Sequence, residues 1–409
     1  MADHSISAGR EEWRKGWPAV AVATVGMATG AGLYHYVSSL FIYSLEAEFG
    51  WSRGDISNAS AFGLLAVFSA PLIGRLADRL GSRRIAIACI LTLAACYFAL
   101  SNMTGAYWQF LLISAVLGVA APGCTTLIYG RAVNSWFDQG KGIALGIAAA
   151  GMSIGAMLFS PLIRAMIAKY GSSGGYLTLT GLMLLIALPT VSLWLREKKT
   201  QPKHSESRIV GARSSPEVNW IQLTKGRTFW TLAVAILAAN APAAGVLTQF
   251  EPLVREHGIS DPTLYLTLYA ASVLFGRIAI GWLFDKFDAR RVAALVTLGG
   301  ITGSLLLVSS SPALAIPFAI ILIGFLSGAE TDVLAYFVGR HFGTTAFSTM
   351  YGLLFGISVI GTAAGIVGFG QLFDIYGSYD LALYAAAGLL VPAIIAYLVL
   401  PTHPKGAIQ

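Results

Sequence analysis

A chain of 409 residues that is 56% apolar, only 11% charged and has a mean hydropathy of +0.69 carries more apolar surface than a water-soluble core of ordinary proportions can hide. This excludes a soluble enzyme or a nucleic-acid-binding domain, and it points to an integral membrane protein. The formal charge of +7 then reads as topology and as contact with anionic lipid headgroups, so no nucleic acid is expected as a partner.

Runs of about twenty mostly apolar residues are what a helix needs to cross about 30 Å of hydrocarbon. Twelve such runs are present, at 18–43, 56–77, 85–102, 108–133, 142–168, 175–195, 228–250, 263–284, 292–310, 314–338, 349–371 and 381–400. They are named spans one to twelve below. None shows the strict alternation that the wall of a membrane barrel requires. With the N-terminus inside, all but five of the 27 Lys and Arg residues lie in or beside cytoplasmic segments, the exceptions being Arg53, Arg164, Lys169, Arg255 and the intramembrane Arg277. The expected arrangement is therefore multi-pass with both termini cytoplasmic, in a plasma membrane or a bacterial inner membrane. No cleavable signal is expected, because Met1 to Gly16 is polar and the first apolar run is too long for a signal core.

The N-terminal tail carries Arg10, Arg14 and Lys15 and ends at Trp13 and Trp17, a basic and aromatic interface anchor. Span one is rich in glycine (Gly26, Gly30, Gly32), which lets helices approach closely. It then turns polar at Tyr34, His35 and Tyr36, and His35 and Tyr36 either bond a substrate or satisfy a neighbouring helix. Glu46 to Asp55 is expected to be a short outer loop with Trp51 at the interface. Span four contains Gly118, Pro122 and Gly123 followed by Thr125, Thr126 and Tyr129, an interruptible helix whose polar side chains are candidates to line a cavity. Cys89, Cys96 and Cys124 fall within spans three and four and suit packing better than a disulfide or metal site. Between the halves, Arg196 to Arg227 is too polar to insert and too poor in apolar residues to fold alone. The organisation read from this is a six-helix bundle over 1–195, a cytoplasmic linker over 196–227 and a second six-helix bundle over 228–409. In the second bundle Asn240, Pro242, Gln249, Tyr265 and Tyr269 repeat the polar interruptions, and Tyr269 joins the candidate binding residues.

The two halves are related. Gly74, Asp78, Arg79, Arg83 and Arg84 recur 207 positions later as Gly281, Asp285, Lys286, Arg290 and Arg291, and Gly142, Gly146, Gly151 and Gly155 recur 210 positions later as Gly352, Gly356, Gly361 and Gly365. The fold class is an all-α membrane protein of two pseudo-symmetric six-helix bundles. The charged clusters sit at the cytoplasmic ends of spans two and eight, where carboxylates can face helix N-termini and arginines such as Arg131 and Arg340. Making and breaking those contacts gates the two states, or else the clusters only anchor topology.

An ionisable side chain deep in hydrocarbon costs roughly 2.5–3.5 kcal/mol even on lenient scales, so each one marks a site. Arg277 lies about 21 Å from the outer end of span eight, and Glu330 and Asp332 lie at similar depth in span ten. Residues two apart on a helix point in roughly opposite directions, so only one acid can pair directly with Arg277. Asp332 shares a face with Gly324, Gly328 and Tyr336, whereas Glu330 shares one with Ile323, Leu326, Leu334 and Phe337. Asp332 is favoured for the polar path, with Glu330 paired across a helix interface or held protonated, and Thr331 is placed to touch the cavity. The positions equivalent to Arg277, Glu330 and Asp332 in the first half are Ala70, Gly123 and Thr125, so the charge is placed in one half only. A structural ion pair tying span eight to span ten is the competing reading.

The motif GRLADRLGSRR, its weaker copy GWLFDKFDARR, the twelve spans and the central linker together resemble the major facilitator superfamily. Within it, FGWSRGDIS after span one, NSWFDQGKGIALG into span five, Arg277 with Gly281, and FGTTAFSTMYG into span eleven are similar to the monocarboxylate transporter branch, which includes the bacterial oxalate–formate exchangers. The resemblance implies alternating access around a midplane site, with Arg277 taking a carboxylate bidentately. Two departures matter: Ser358 stands where oxalate exchangers carry a lysine, and Val273 and the stretch around Tyr36 and Val37 lack the aspartate and lysine of animal monocarboxylate carriers. The expected function is a secondary transporter, with no enzymatic activity and no cofactor, that moves a small organic anion together with a proton carried by Asp332 or Glu330. A monomer is expected. The alternative is a proton-coupled antiporter exporting drugs or metabolites, and a receptor is disfavoured by the absence of a sizeable soluble domain.

Overall fold

The computed structural model describes residues 2–137, 141–197, 223–259, 261–308 and 313–401, without the side chains of 2–10, 141, 285, 313, 331 and 343–348. Most of the predicted linker, 198–222, lies outside the described residues. Among those residues the chain is helix and short connections, without strands. Among the described residues, ten stretches are long and apolar enough to cross a membrane. The longest, Gly142–Trp194 with 53 residues, would be about 80 Å as one straight helix, far more than a bilayer core. It breaks at Gly171, whose φ of 68° and ψ of −163° are left to glycine because a Cβ would clash there, so it holds spans five and six. Ala289–Leu306 occupies the place of span nine, and Ile316–Tyr376 holds spans ten and eleven.

The helices exceed the apolar runs at several ends. The first runs Ala2–Thr29 without interruption through Pro18, bends at Gly30, and resumes as Ala31–Val37, the 3-10 turn Ser38–Phe41 and Ile42–Phe49. The expected loop from Glu46 to Asp55 therefore shrinks to Gly50–Ser52. Gly50, with φ 69°, closes the helix by donating to the Glu46 carbonyl. Ser52 opens the next helix, Arg53–Ser60, through a capping box with Asp55, whose N–H donates to Ser52 Oγ at 3.0 Å. This tight turn also corrects the place of Trp51. It is buried, with its ring stacked on Phe49 at 4.8 Å and on Phe110 at 4.9 Å, because a three-residue connection tucks the indole back onto span four.

Span four is interrupted as its sequence suggests: Tyr107–Ala120 passes into the 3-10 turn Ala121–Cys124 and restarts as Thr126–Asn134. Thr125 is extended and caps the restart by accepting from the Leu127 N–H at 3.3 Å. Cys89, Cys96 and Cys124 are buried free thiols.

Two compact units are evident. The first comprises residues 1–199, 246–271 and 369–375, and the second 200–245, 272–368 and 376–409. In the first, span five lies directly on span one, and a Cβ at Gly151 or Gly155 would overlap the backbone of Thr24 or Ala28. In the second, Gly361 and Gly365 of span eleven meet the backbone of Leu237 and Ala241 of span seven in the same way. The paired glycines of the repeat thus serve the same close approach in each unit. The core of the second unit is formed by residues such as Leu232, Ile280, Phe284, Phe337, Leu354 and Tyr397. Large apolar side chains including Phe68, Leu72, Leu185 and Phe318 are left exposed, as a surface bathed in lipid tails permits.

Candidate functional site

The ionisable centre of the second unit is built on two helices brought together by glycine. A Cβ on Gly276 would lie 2.9 Å from Phe325 Cα, and one on Gly328 would press on the Val273 carbonyl and lie 3.1 Å from the Arg277 nitrogen. Spans eight and ten therefore touch backbone to backbone one turn before Asp332. That contact sets Arg277 Nε 3.7 Å from Asp332 Oδ2, and both side chains keep partial exposure, 21% and 40%. The distance is within ion-pair range and longer than a good hydrogen bond.

Glu330 points the other way. It lines a small cavity with Ala239, Ile280, Phe284, Thr297, Val333 and Tyr397, and its buried Oε1 meets no hydrogen-bond donor among the described residues. Thr331 lies between the two acids, but its side chain is outside the described residues.

The remaining candidate binding residues belong to the first unit. Tyr36 is buried, its hydroxyl 3.4 Å from Ser153 Oγ and its ring 6.2 Å from that of Tyr269. Tyr269 is itself buried against Phe250 at 5.7 Å. His35 and Thr126 are exposed. Tyr129 is wholly buried with its ring against Gly26, where it joins span four to span one.

Of the candidate gate residues, Arg131 pairs with Asp78 and with Glu197, the latter at 3.1 Å. Arg83 donates to the Ser192 carbonyl, so spans two, three, four and six are tied at this end. Arg79 and Arg84 are exposed. In the repeat copy, Arg290 is engaged by Asp288, from Nη2 at 2.7 Å and Nε at 3.2 Å, and donates to the Leu400 carbonyl at 2.9 Å. The Arg290 hydrogen bond holds the Asp288 carboxyl below the usual range. Asp288 also caps span nine by accepting from the Arg290 N–H. Lys286 lies over the Trp282 ring at 4.2 Å, Arg291 is exposed and Arg340 half-buried, and the Asp285 side chain is outside the described residues.

A further charged cluster, unforeseen in the sequence, lies in the first unit at the end of the spans that the charge bias assigns to the outside. Glu251 is almost wholly buried between Arg164, at 3.0 Å, and Arg255, at 2.6 Å, and Arg164 also reaches Asp261 at 3.1 Å. Burial pushes the Glu251 carboxyl up against the pull of both arginines. Asp261 is held low, first by its bonds from Thr263. Nearby, Arg53 lies over Phe373 at 3.8 Å, the Gly54 N–H donates to Asp374 at 2.9 Å, and Gln249 donates to Ser57 at 2.8 Å. The available sequence signal was that Arg164 and Arg255 break the charge bias while an acid, Glu251, immediately follows an apolar run.

Comparison with known proteins agrees with this architecture. The family model for the Major Facilitator Superfamily matches residues 20–365 and, in a second alignment, 250–408. An MFS-type transporter of Aspergillus fumigatus is 26% identical over 91% of this chain and 88% of its own. Monocarboxylate transporter 13 of Rattus norvegicus is 26% identical over 94% and 89%. Among solved structures, the nucleoside transporter NupG superposes with a TM-score of 0.74 at 14% identity, covering 95% of this chain and 99% of its own. A bacterial homolog of the human lysosomal transporter Spinster superposes with a TM-score of 0.69 at 16% identity, over 94% and 96%. At such identities the superpositions speak for the fold. The family match spans nearly the whole chain, and the protein belongs to the Major Facilitator Superfamily as a multi-pass membrane transporter.

Proposed function

We propose that the protein moves a small organic anion, a monocarboxylate, together with a proton. The observation that carries this reading is the intramembrane Arg277 set 3.7 Å from Asp332. A guanidinium is shaped to hold a carboxylate on two parallel N–H bonds. Asp332 competes for it while ionised. Protonation of Asp332 releases Arg277 to the substrate, and substrate and proton then load together with no net charge added to the site. This lowers the cost of a charged group at that depth. The name of the rat relative supports a carboxylate cargo.

Uptake of radiolabelled monocarboxylates into proteoliposomes, with and without an imposed inward proton gradient, tests the proposal. Gradient-stimulated uptake of an acid, abolished by Arg277→Ala, is the expected result. Uptake that ignores the gradient, or that survives Arg277→Ala, would overturn it.

A further inference from the structure

Glu330 stands on the face of span ten away from Asp332, in surroundings of its own. The cavity it lines lies within the second unit, among spans seven, eight, nine, ten and twelve, and has a volume of about 10 Å³. Among the described residues its wall is apolar apart from three side chains: Glu330, Thr297 of span nine and Tyr397 of span twelve. Thr297 and Tyr397 are buried. The Thr297 hydroxyl already donates to the Ala293 carbonyl at 2.8 Å, so toward the cavity it can only accept. Glu330 Oε1 is buried and meets no donor. The described lining residues of spans seven, eight and nine include no titratable group, which leaves Glu330 and Tyr397 as the two at the cavity. Arg277 pairs with Asp332 on the opposite face of span ten.

We propose that this cavity binds one water molecule, held by the neutral acid of Glu330 and by the hydroxyls of Thr297 and Tyr397, and that this water ties span ten to spans nine and twelve. The volume is the size that admits a single water, which needs two to four polar partners. An ionised Glu330 would put a charge into an apolar wall with no donor to meet it, and a buried group in that position neutralises instead. The neutral acid donates its proton to the water, and the water donates its two to Thr297 and Tyr397. All three hydrogen bonds are then made without a net charge. The site does not depend on the cargo. Its consequence for coupling does rest on the anion–proton reading above: the proton on Glu330 is resident, and Asp332 alone exchanges one during transport.

Infrared spectroscopy of the transporter in proteoliposomes at neutral pH tests the site. Wild type should show the C=O band of a protonated carboxylic acid that Glu330→Gln lacks. Thr297→Val and Tyr397→Phe leave Glu330 in place, and each should shift that band to higher frequency by removing an acceptor from the water. Thermal unfolding gives a second reading: each hydroxyl variant should lower the midpoint by about 2–4 °C, and the double variant should lose less than the sum, because both remove the same tie. No acid band lost in Glu330→Gln, or Glu330 carboxylate bands that move when sodium replaces choline, would overturn the neutral acid. A band that neither hydroxyl variant moves, one that only Tyr397→Phe moves, or additive losses in midpoint would overturn the shared water. None of these readouts uses uptake, so failure here leaves the anion reading standing.

Discussion

Arg277 and Asp332 are an ion pair at arm's length: 3.7 Å separates their nearest nitrogen and oxygen, and the backbones beneath them are in contact at Gly328. The helices cannot come closer, so the gap belongs to the side chains, and under the proton-coupled proposal a change of protonation at Asp332 closes or opens it. Asp332→Asn should leave uptake measurable and remove its stimulation by an inward proton gradient. Glu330→Gln, altered on the opposite face of span ten, should keep the stimulation. Initial uptake rates across a series of imposed gradients distinguish the two.

Gly328 is the pivot of that contact. Gly328→Val places a side chain against the Val273 carbonyl and the Arg277 nitrogen, and overpacking of this kind costs about 1–3 kcal/mol. Thermal unfolding in detergent should show a lowered midpoint. Gly281→Ala, where no neighbour meets the added carbon, should leave it unchanged.

The cluster on Glu251 is a structural tie within the first unit. Glu251→Gln replaces a carboxylate held by two arginines with a neutral amide, and hydrogen bonds to charged groups contribute about 1.5–3 kcal/mol each. A drop in thermal midpoint is expected. Asp261→Asn should cost less, because Asp261 is mostly exposed and such pairs contribute little.

Asp288 provides a pH readout. Its carboxyl is depressed by the Arg290 hydrogen bond, so its contribution to stability is present above the unfolded carboxylate range and is lost as pH falls through the lower folded value. Asp288→Ala should lower the midpoint near neutral pH by the equivalent of about 1 kcal/mol, as loss of a helix cap does. The gap between wild type and variant should narrow as the solution is acidified toward the depressed pKa. A gap that is constant with pH would show that the cap and ion pair are not titrating.

The architecture was open to reading because it rests on local signals: apolar runs of bilayer length, and a repeat whose glycines mark backbone contacts. Arg277, Glu330 and Asp332 were equally visible, since charge inside an apolar run is rare. What escaped was a set of contacts assembled across distant segments without a motif to announce them. Arg164 and Glu251 are 87 positions apart and gave no local pattern beyond breaking the charge bias. Glu197 looked like part of a linker and instead binds Arg131. Trp51 was placed at the outer interface from its position in a short loop, while the three-residue turn that buries it depends on Gly50 and Ser52 acting together. Arg290 follows the repeat in sequence, yet its partner Asp288 stands where the first copy has Gly81, so the two charged clusters are not wired alike.

The glycine contacts have a mechanical consequence. Where Gly151 and Gly155 rest on Thr24 and Ala28, and Gly361 and Gly365 on Leu237 and Ala241, no side chain stands between the helices to change rotamer and absorb a displacement. Each joint is backbone on backbone, a contact that favours movement of the two helices together. Compliance has to come from elsewhere along the same chain. The backbone offers it where the helical hydrogen-bond register changes, as at the 3-10 segments Ser38–Phe41, Ala61–Leu64 and Ala121–Cys124 and the π-helical stretch Met183–Ala187.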